Sequence, residues 1–379
     1  MRWGIYLNPQ TPGPDDDGRV IDEVLAHTDL AERLGASHVW LTEHYFTGYN
    51  AFSDPMLMAA AISQRNKRLR IGFSVSIAPF THPLRFVTQA NLLDRLAGGR
   101  VTLGVGAGNS PDEYAGWGLD REDRHARMNE LMDVAERAWS AGPEGFSYDG
   151  DYFQGSVRGR MIPAPVQKPH PLIAYATATP ERLRMVGSKG WALLLGPQTP
   201  ELLAARLHHY VAGMDDSGLS EEQRATAWGN SAVLRQIYVA APGEDWRETI
   251  RPSIETYVRK SALANTGIDE LPKDDMEKRA ARLMEVQLFA GQPDEIVERM
   301  RPFAELGIDQ LMCWMAFGHM PDEQTRGSIE RFAEHVAPRL AEIALDEGLR
   351  ESIVARAGTE TRTGAQITER TGVRANGRD

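Results

Sequence analysis

The residues best suited to chemistry in this chain are a carboxylate and an imidazole that stand side by side, Glu43 and His44. They follow Val39, Trp40 and Leu41, three apolar residues with a preference for strands. The pair therefore lies where the chain leaves a predicted sheet. An imidazole has an ordinary pKa of about 6.5, which suits it to proton transfer near neutral pH. Alternatively, His44 is a loop histidine that hydrogen-bonds a backbone carbonyl. Glu43 could orient His44, but a partly buried structural carboxylate is the favoured interpretation.

Small residues end two further predicted strands. Ser74, Val75 and Ser76 end one of them, and their small side chains would let a flat ligand approach the backbone. The next strand ends in three alternating glycines, in a run that includes Gly106 and Ala107. For Ser74, Val75 and Ser76, the alternative is an ordinary strand end. The second strand end resembles a phosphate cradle only weakly, because no dinucleotide fingerprint follows it.

The turn ATATP predicts an anion site. Ala176 ends a strand, Thr179 is placed to cap the next helix, and Pro180 suits its first turn. Free N–H groups at the start of a helix lie at the positive end of its dipole, and the Thr177 hydroxyl adds a donor. Simple helix capping is the alternative interpretation.

Two arginines could supply positive charge to a phosphate. Arg124 and Arg127 lie three residues apart, on one face at the start of a predicted helix. The alternative is a solvated basic face, to which His125 is assigned.

Aromatic residues at two places could line a pocket for a flat, apolar ligand. Trp314 and Phe317 belong to a cluster that ends the last predicted strand. Phe46 and Phe52 lie on the loop after His44. Alternate residues of the strand would face a pocket, and core packing accounts for the rest of the cluster.

Eight predicted strands alternate with helices, and they cover residues 2–8, 37–42, 69–77, 100–105, 172–176, 191–195, 233–240 and 310–315. This alternation indicates an α/β fold with a parallel sheet. The sheet could be an open, doubly wound one or a closed (β/α)8 TIM barrel. The barrel is favoured, because no G-x-G-x-x-G follows the first strand and eight units suit closure. In a barrel, the carboxyl ends of the strands form the catalytic edge.

The domain prediction is a single barrel over residues 1–346. Two insertions are expected, near 142–171 and 245–288. The first is rich in glycine, proline and aromatic residues, and the second is charged and longer than one barrel helix requires. The second is also a candidate lid. Residues 347–379 are polar and are predicted to form a mobile tail.

Composition excludes several classes of protein. The formal net charge of −11 argues against general binding to nucleic acid or an anionic membrane. The single cysteine, Cys313, cannot form an intrachain disulfide, and the Cys and His spacing suggests no metal site. No apolar run approaches the roughly 20 residues of a membrane span, and no signal peptide is evident. The expected location is the cytoplasm.

Three stretches together resemble the bacterial luciferase-like, flavin-dependent monooxygenases. They are WLTEHYF (40–46), THPLRFVTQANLLDRLAGGRVTLGVGAG (81–108), and QLMCWMAFGHMP (310–321) with the following SIERFAEHVAP. The resemblance covers roughly residues 1–340 and implies a (β/α)8 barrel.

The resemblance implies a two-component system. A separate NAD(P)H:flavin reductase would supply reduced FMN, which reacts with O2 to a C4a-peroxyflavin that oxygenates a small organic substrate. His44 matches the catalytic histidine, and Ser74–Val75 matches a non-prolyl cis peptide under the flavin. The residues assigned to the cofactor are Glu43, Ser74, Val75, Ser76, Gly106, Ala107, Arg127, Ala176, Thr177 and Thr179. Those assigned to the substrate pocket are Phe46, Phe52, Trp314 and Phe317.

Two positions depart from the luciferase pattern. Luciferases often have an arginine where this chain has Ala107, and a carboxylate where it has Tyr175. The flavin phosphate is therefore expected to be held differently or less tightly. Light emission is not expected.

The resemblance leaves other outcomes open. The chain could be a deazaflavin-dependent oxidoreductase, or a non-catalytic partner or flavin-storage barrel. Retention of His44 counts against the last. Family members are commonly homodimers, and residues 55–62 could supply the interface or pack in the core.

Overall fold

The computed structural model describes residues 1–343, so the tail predicted for 347–379 lies outside the described residues. The strands are β1 (Arg2–Leu7), β2 (His38–Leu41), β3 (Arg70–Phe73), β4 (Ser76–Ile77), β5 (Val101–Gly106), β6 (Phe146–Asp149), β7 (Gln154–Val157), β8 (Leu172–Ala176), β9 (Ala192–Leu195), β10 (Ala232–Val239), β11 (Leu288–Gly291) and β12 (Gln310–Trp314).

The helices are α1 (Asp17–Arg33), α2 (Pro55–Arg65), α3 (Pro83–Leu96), α4 (Pro111–Gly116), α5 (Arg124–Ser140), α6 (Pro180–Ser188), α7 (Pro200–Asp215), α8 (Glu221–Gly229), α9 (Trp246–Thr266), α10 (Lys273–Arg282), α11 (Pro293–Glu305), α12 (Asp322–Arg331) and α13 (Ala337–Ala341). A 3₁₀ turn covers Ala78–Phe80, and π-helical turns cover Leu283–Gln287 and Phe332–Val336. No helix within residues 1–343 is both long and apolar enough to cross a bilayer.

Eight parallel strands close into a barrel in the order β1, β2, β3, β5, β8, β9, β10 and β12, and β12 pairs again with β1. Strand register places Tyr6 opposite Trp40, which in turn lies opposite Gly72. The prediction of an α/β fold with a TIM barrel is confirmed.

Alternation along the strands divides the apolar residues into two cores. Ile5, Val39 and Cys313 point outward into a large core between the barrel and its helices. Tyr6 and Trp40 point inward and belong to a second cluster inside the barrel. The period of two in side-chain direction produces this division, since successive residues of a strand face opposite sides of the sheet.

The helices begin with the signals that the sequence carries. Asp54 caps α2, because its carboxylate accepts hydrogen bonds from the N–H groups of Met56 and Leu57, and Pro55 occupies the first turn. Helix α7 begins in the same way, with Thr199 as the cap.

Some local elements differ from the predictions. The strand predicted over 69–77 is interrupted at the cis peptide bond between Ser74 and Val75, so it forms β3 and β4. The segment 142–171 contains the hairpin of β6 and β7. The segment 245–288 contains α9 and α10 and leads into β11, a short strand on the second half of β10 that the sequence did not reveal.

Candidate active site

His44 lies just beyond β2 and is held by a buried carboxylate from α4. Its Nδ1 atom is 3.0 Å from Oε1 of Glu113, and the same oxygen accepts a hydrogen bond of 2.9 Å from the N–H of Tyr45. The Glu113 side chain is 1% exposed and that of His44 is 25% exposed. Because Glu113 engages Nδ1, Nε2 is the ring nitrogen free to exchange a proton with a bound molecule.

Glu43 anchors the backbone of the neighbouring strand β4. One of its oxygens accepts from the Tyr45 hydroxyl at 2.5 Å, and the other accepts from the Ser76 hydroxyl at 3.0 Å and the Ile77 N–H at 2.7 Å. Burial raises the pKa of the Glu43 carboxyl to about 7, and these donors act in the opposite direction. Both carboxylate oxygens of Glu43, a residue predicted to bind the cofactor, are therefore engaged by the protein.

The segment around the cis peptide lies between β3 and β4 and is partly exposed. The Ser74 carbonyl accepts a hydrogen bond of 3.2 Å from the Tyr6 hydroxyl. Val75 packs against the inner cluster. A Cβ atom added at Gly106 would lie 2.6 Å from Val75 Cγ2, and one added at Gly104 would lie 1.7 Å from the Phe73 carbonyl oxygen. These positions therefore require glycine, because β5 packs directly against Phe73 and Val75 there.

The neighbouring Ala107 is buried at the end of β5. Its carbonyl oxygen accepts a hydrogen bond of 2.5 Å from the hydroxyl of Tyr114 in α4. Helix α4 therefore contacts both the end of β5, through Tyr114, and the loop after β2, through Glu113. This short helix joins two edges of the predicted site.

An aromatic wall extends from His44 across the barrel mouth. The ring of Tyr49 lies 4.9 Å from that of His44 and 6.4 Å from that of Trp314. The ring of Tyr257 lies 5.1 Å from Trp314 and 6.3 Å from Phe317. Burial raises the pKa of the Tyr49 and Tyr257 hydroxyls, which bond to each other. Sequence reasoning missed both tyrosines, although Tyr49 lies only five residues after His44.

The other two predicted pocket residues lie elsewhere. Phe46 is 65% exposed, has a φ of +68°, and its ring is 6.4 Å from that of Trp117. Phe52 is partly buried and packs against the outer core. The structure thus brings Trp314 and Phe317 into one cluster and places Phe46 and Phe52 outside it.

The turn predicted to bind an anion has free donors. Thr179 is the N-cap residue of α6, but its side chain makes no capping hydrogen bond, and the residue is exposed. Arg182 lies in the first turn of this helix. Thr177 is half-buried beside Ala176, which ends β8. An exposed hydroxyl, a helix start and a guanidinium together suit a phosphate.

Buried polar atoms face the same region from α5 and β8. Within residues 1–343, His125 Nδ1 and the Tyr175 hydroxyl are buried without a hydrogen-bond partner. The pKa of His125 is lowered, first by burial and then by the charges of Arg182 and Arg124. Burial raises the pKa of Tyr175, and the charge of Arg182 acts in the opposite direction. His125 thus lies among these cations, with a partly buried ring rather than on a solvated face.

Arg127 is already engaged by the protein. Its Nε donates to the Pro79 carbonyl at 2.9 Å, and its guanidinium lies 4.5 Å from the ring centre of Phe153 and 5.8 Å from that of Tyr152. Arg182, in the first turn of α6, is a second candidate for the phosphate that the sequence did not indicate. Its position three residues after Thr179 was the available signal.

Comparison with protein families gives one clear match. The family described as luciferase-like monooxygenase matches residues 1–310 of this chain.

Individual relatives of known activity have similar length. The chain is 29% identical over 350 residues to 4-hydroxyprotoasukamycin monooxygenase of Streptomyces nodosus subsp. asukaensis, covering 89% of this chain and 92% of the relative. It is 23% identical over 365 residues to the oxygenase component of the flavin-dependent trigonelline monooxygenase of Acinetobacter baylyi, covering 91% and 97%. It is also 29% identical over 371 residues to an F420-dependent glucose-6-phosphate dehydrogenase of Beutenbergia cavernae, covering 90% and 97%.

Among solved structures, the monooxygenase RslO1 from Streptomyces bottropensis is similar over most of its length. The TM-score is 0.77 at 26% sequence identity, and the match covers 89% of this chain and 99% of that one. The barrel and its additional helices therefore have a known counterpart.

Proposed function

This chain belongs to the luciferase-like monooxygenase family, and from that premise we propose that it is the oxygenase component of a two-component, flavin-dependent monooxygenase. A separate NAD(P)H:flavin reductase supplies reduced FMN, and O2 is the second substrate. The product is an oxygenated small organic molecule. The observation that carries this proposal is the His44–Glu113 pair at the barrel mouth, beside the Ser74–Val75 segment and the aromatic wall.

The residues present fit a flavin mononucleotide. Ser74 and Val75 are partly exposed and suit contact with a flat ring system, and Gly104 and Gly106 let β5 pack closely against this segment. The start of α6, with Thr179 and Arg182, suits a phosphate, because its donors are unused by the rest of residues 1–343. We assign Ala176, Thr177, Thr179 and Arg182 to the phosphate end, and Ser74, Val75, Gly106 and Ala107 to the ring end.

Reduced flavin, when bound, supplies the two electrons that activate O2. Around it, His44 Nε2 gives a proton to, or takes one from, the oxygen that is being transferred. Glu113 fixes the ring orientation of His44 by holding its Nδ1 atom. Tyr49, Tyr257 and Trp314 exclude water from this edge of the site. Glu43 keeps the backbone after the cis peptide in place through Ser76 and Ile77.

The relatives support the oxygenase proposal. One is named as the oxygenase component of a flavin-dependent monooxygenase, which is the division of labour proposed for this chain. Another relative, 29% identical, is named as a monooxygenase.

Stopped-flow absorbance tests the proposal. The purified protein would be mixed anaerobically with reduced FMN and then with oxygenated buffer. We expect a transient absorbing species before oxidised flavin appears, because a dry pocket delays the loss of peroxide. Oxidation at the rate of free reduced FMN, without a transient, would overturn the proposal.

A second function is favoured by one relative. The F420-dependent glucose-6-phosphate dehydrogenase of Beutenbergia cavernae covers nearly the whole chain at 29% identity. A deazaflavin enzyme on this barrel would move hydride without oxygen, and His44 would again serve as the proton donor or acceptor. Equilibrium binding separates the two functions. The oxygenase proposal expects tighter binding of FMN than of F420, and the reverse order would favour the deazaflavin enzyme.

We also propose a homodimer through α2 and α3. Three leucines on these helices are exposed, Leu57 at 71%, Leu92 at 49% and Leu96 at 44%. Exposed apolar side chains on adjacent helices are typical of an interface between subunits. Gel filtration should give about twice the chain mass of 42.1 kDa. Elution at the monomer mass would remove this proposal.

A further inference from the structure

A cavity of about 470 Å³ lies between α9 and α10, in the segment predicted as an insertion. Tyr257 and Ser261 contribute to it from α9, one helical turn apart. Lys278, Arg279 and Arg282 contribute from α10. The volume lies within the range of small-molecule sites. Two facing helices thus build a site with a hydroxyl-bearing side and a cationic side.

The charge of this cavity is of one sign. Its lining includes three cations and no carboxylate. Within residues 1–343, none of the three takes part in an ion pair of 4.0 Å or less, whereas Lys273 on the same helix lies 3.8 Å from Glu277. The whole chain has a net charge of −11, so an anion approaching it meets general repulsion. A local group of cations is what an anionic ligand would require.

The cavity adjoins the aromatic wall. Tyr257 lines the cavity, and its ring lies 5.1 Å from that of Trp314. Its hydroxyl bonds to Tyr49, whose ring is 4.9 Å from that of His44. Two buried tyrosines, Tyr257 and Tyr49, therefore lie between the cationic side of the cavity and the proton-transfer residue.

We propose that this cavity binds the organic substrate through an anionic group, a carboxylate or sulfonate, held by Lys278, Arg279 and Arg282. The apolar part of the molecule then lies against Tyr257, whose side chain would have to move for the molecule to reach His44. Guanidinium groups bind such anions with paired hydrogen bonds. This inference deepens the proposed function. It rests on that function in one respect, which is that the ligand is taken to be the substrate.

Isothermal titration calorimetry on the flavin-free, full-length protein tests this proposal with two matched probes. 2-Naphthoate and 2-naphthamide have the same ring system and differ in charge. We expect naphthoate to bind at least about tenfold more tightly than naphthamide, and added salt to reduce the difference. Equal affinities, or no binding of naphthoate, would overturn the proposal.

The double variant Arg279→Gln/Arg282→Gln assigns the site. It should weaken the binding of naphthoate by about tenfold or more and leave the affinity for naphthamide unchanged, because two charge-assisted contacts are removed. Lys273→Gln, on the same helix but outside the cavity, is the matched control and should change neither affinity. An unchanged naphthoate affinity in the double variant would show that the anion binds elsewhere.

Competition with FMN separates the substrate from the cofactor. Saturating FMN should leave naphthoate binding in place, since the phosphate donors lie at α6. Displacement of naphthoate by FMN would show that the cofactor binds in this cavity, and it would overturn the assignment of the cavity to the substrate. Because these measurements need no turnover, they stand apart from the stopped-flow test. If naphthoate binds but the stopped-flow experiment gives no transient, the anion site is supported and the oxygenase proposal is rejected.

Discussion

The two sides of the barrel mouth differ in how their polar groups are satisfied. On the side formed by the loop after β2 and by α4, the Glu113 carboxylate binds His44 and the Tyr45 N–H, and both oxygens of Glu43 are engaged. On the side formed by α5 and α6, Thr179 makes no capping bond, and His125 Nδ1 has no partner within residues 1–343.

This difference separates two tasks. A group that must be placed accurately for proton transfer is held by protein contacts before any ligand arrives. A group that binds a phosphate keeps its donors free, because the ligand itself satisfies them. We therefore expect changes on the first side to reduce reaction rates, and changes on the second side to reduce cofactor affinity.

The largest effect is expected from His44→Ala. Loss of the positioned imidazole should slow the single-turnover oxidation of protein-bound reduced FMN in the presence of substrate by about 10²- to 10⁴-fold. The affinity for FMN should change little. His335→Ala, at an exposed histidine, is the control. A rate within about threefold of wild type, about 0.7 kcal/mol, would remove the role assigned to His44.

Glu113→Gln is expected to have the next largest effect, about 10- to 100-fold on the same rate. The amide keeps the size of the side chain but removes the carboxylate that holds Nδ1 of His44. Asp112→Asn, at an exposed position of the same helix, should be neutral. Equal losses in FMN affinity and in rate would mean that Glu113 supports the fold rather than the proton transfer.

Glu43 should link stability to pH. Its pKa is raised from 4.5 to about 7, so the folded state favours the protonated carboxyl. This stabilisation is complete below about pH 4.5 and is lost as the pH rises through about 7. Between pH 5 and pH 7, wild type should lose roughly 2 kcal/mol of unfolding free energy relative to Glu43→Gln.

Urea denaturation at several pH values measures this difference, with Glu222→Gln as an exposed control. Parallel pH profiles for wild type and Glu43→Gln would show that folding does not shift the pKa of Glu43.

Arg182→Gln tests the open side of the mouth, with the smallest expected effect. FMN should bind about tenfold more weakly, because one charge-assisted contact to phosphate is lost. Riboflavin, which lacks the phosphate, should bind as it does to wild type. Arg184→Gln, on the same helix and paired with Asp216, is the control. Equal weakening of riboflavin would place Arg182 in the structure of α6 instead.

The fold could be predicted because the signals that specify it are local. The eight barrel strands and the start of α2 at Asp54 follow from apolar runs and helix caps. The strand β11 was not found, because it has four residues and follows a charged helical segment. Its place in the sheet depends on pairing with β10, which a local pattern does not encode.

For the candidate site, the sequence indicated the residues at strand ends but not the long-range contacts between them. His44 follows directly from its place after β2. Glu113 lies 69 residues further along the chain, so its contact with His44 depends on the packing of α4. Arg127 and Arg182 both had plausible positions in sequence. The nearby Pro79 carbonyl binds Arg127, and only the folded backbone reveals that acceptor.

The buried position of Cys313 has a practical consequence. It is the single cysteine of the chain, it lies in the outer core, and burial raises the pKa of its thiol well above the ordinary value. Thiol reagents act on the exposed thiolate, so wild type should resist labelling while folded. A cysteine introduced at the exposed Asp269, between α9 and α10, would then be the one reactive thiol. A fluorophore there would report movement of these helices without any background substitution.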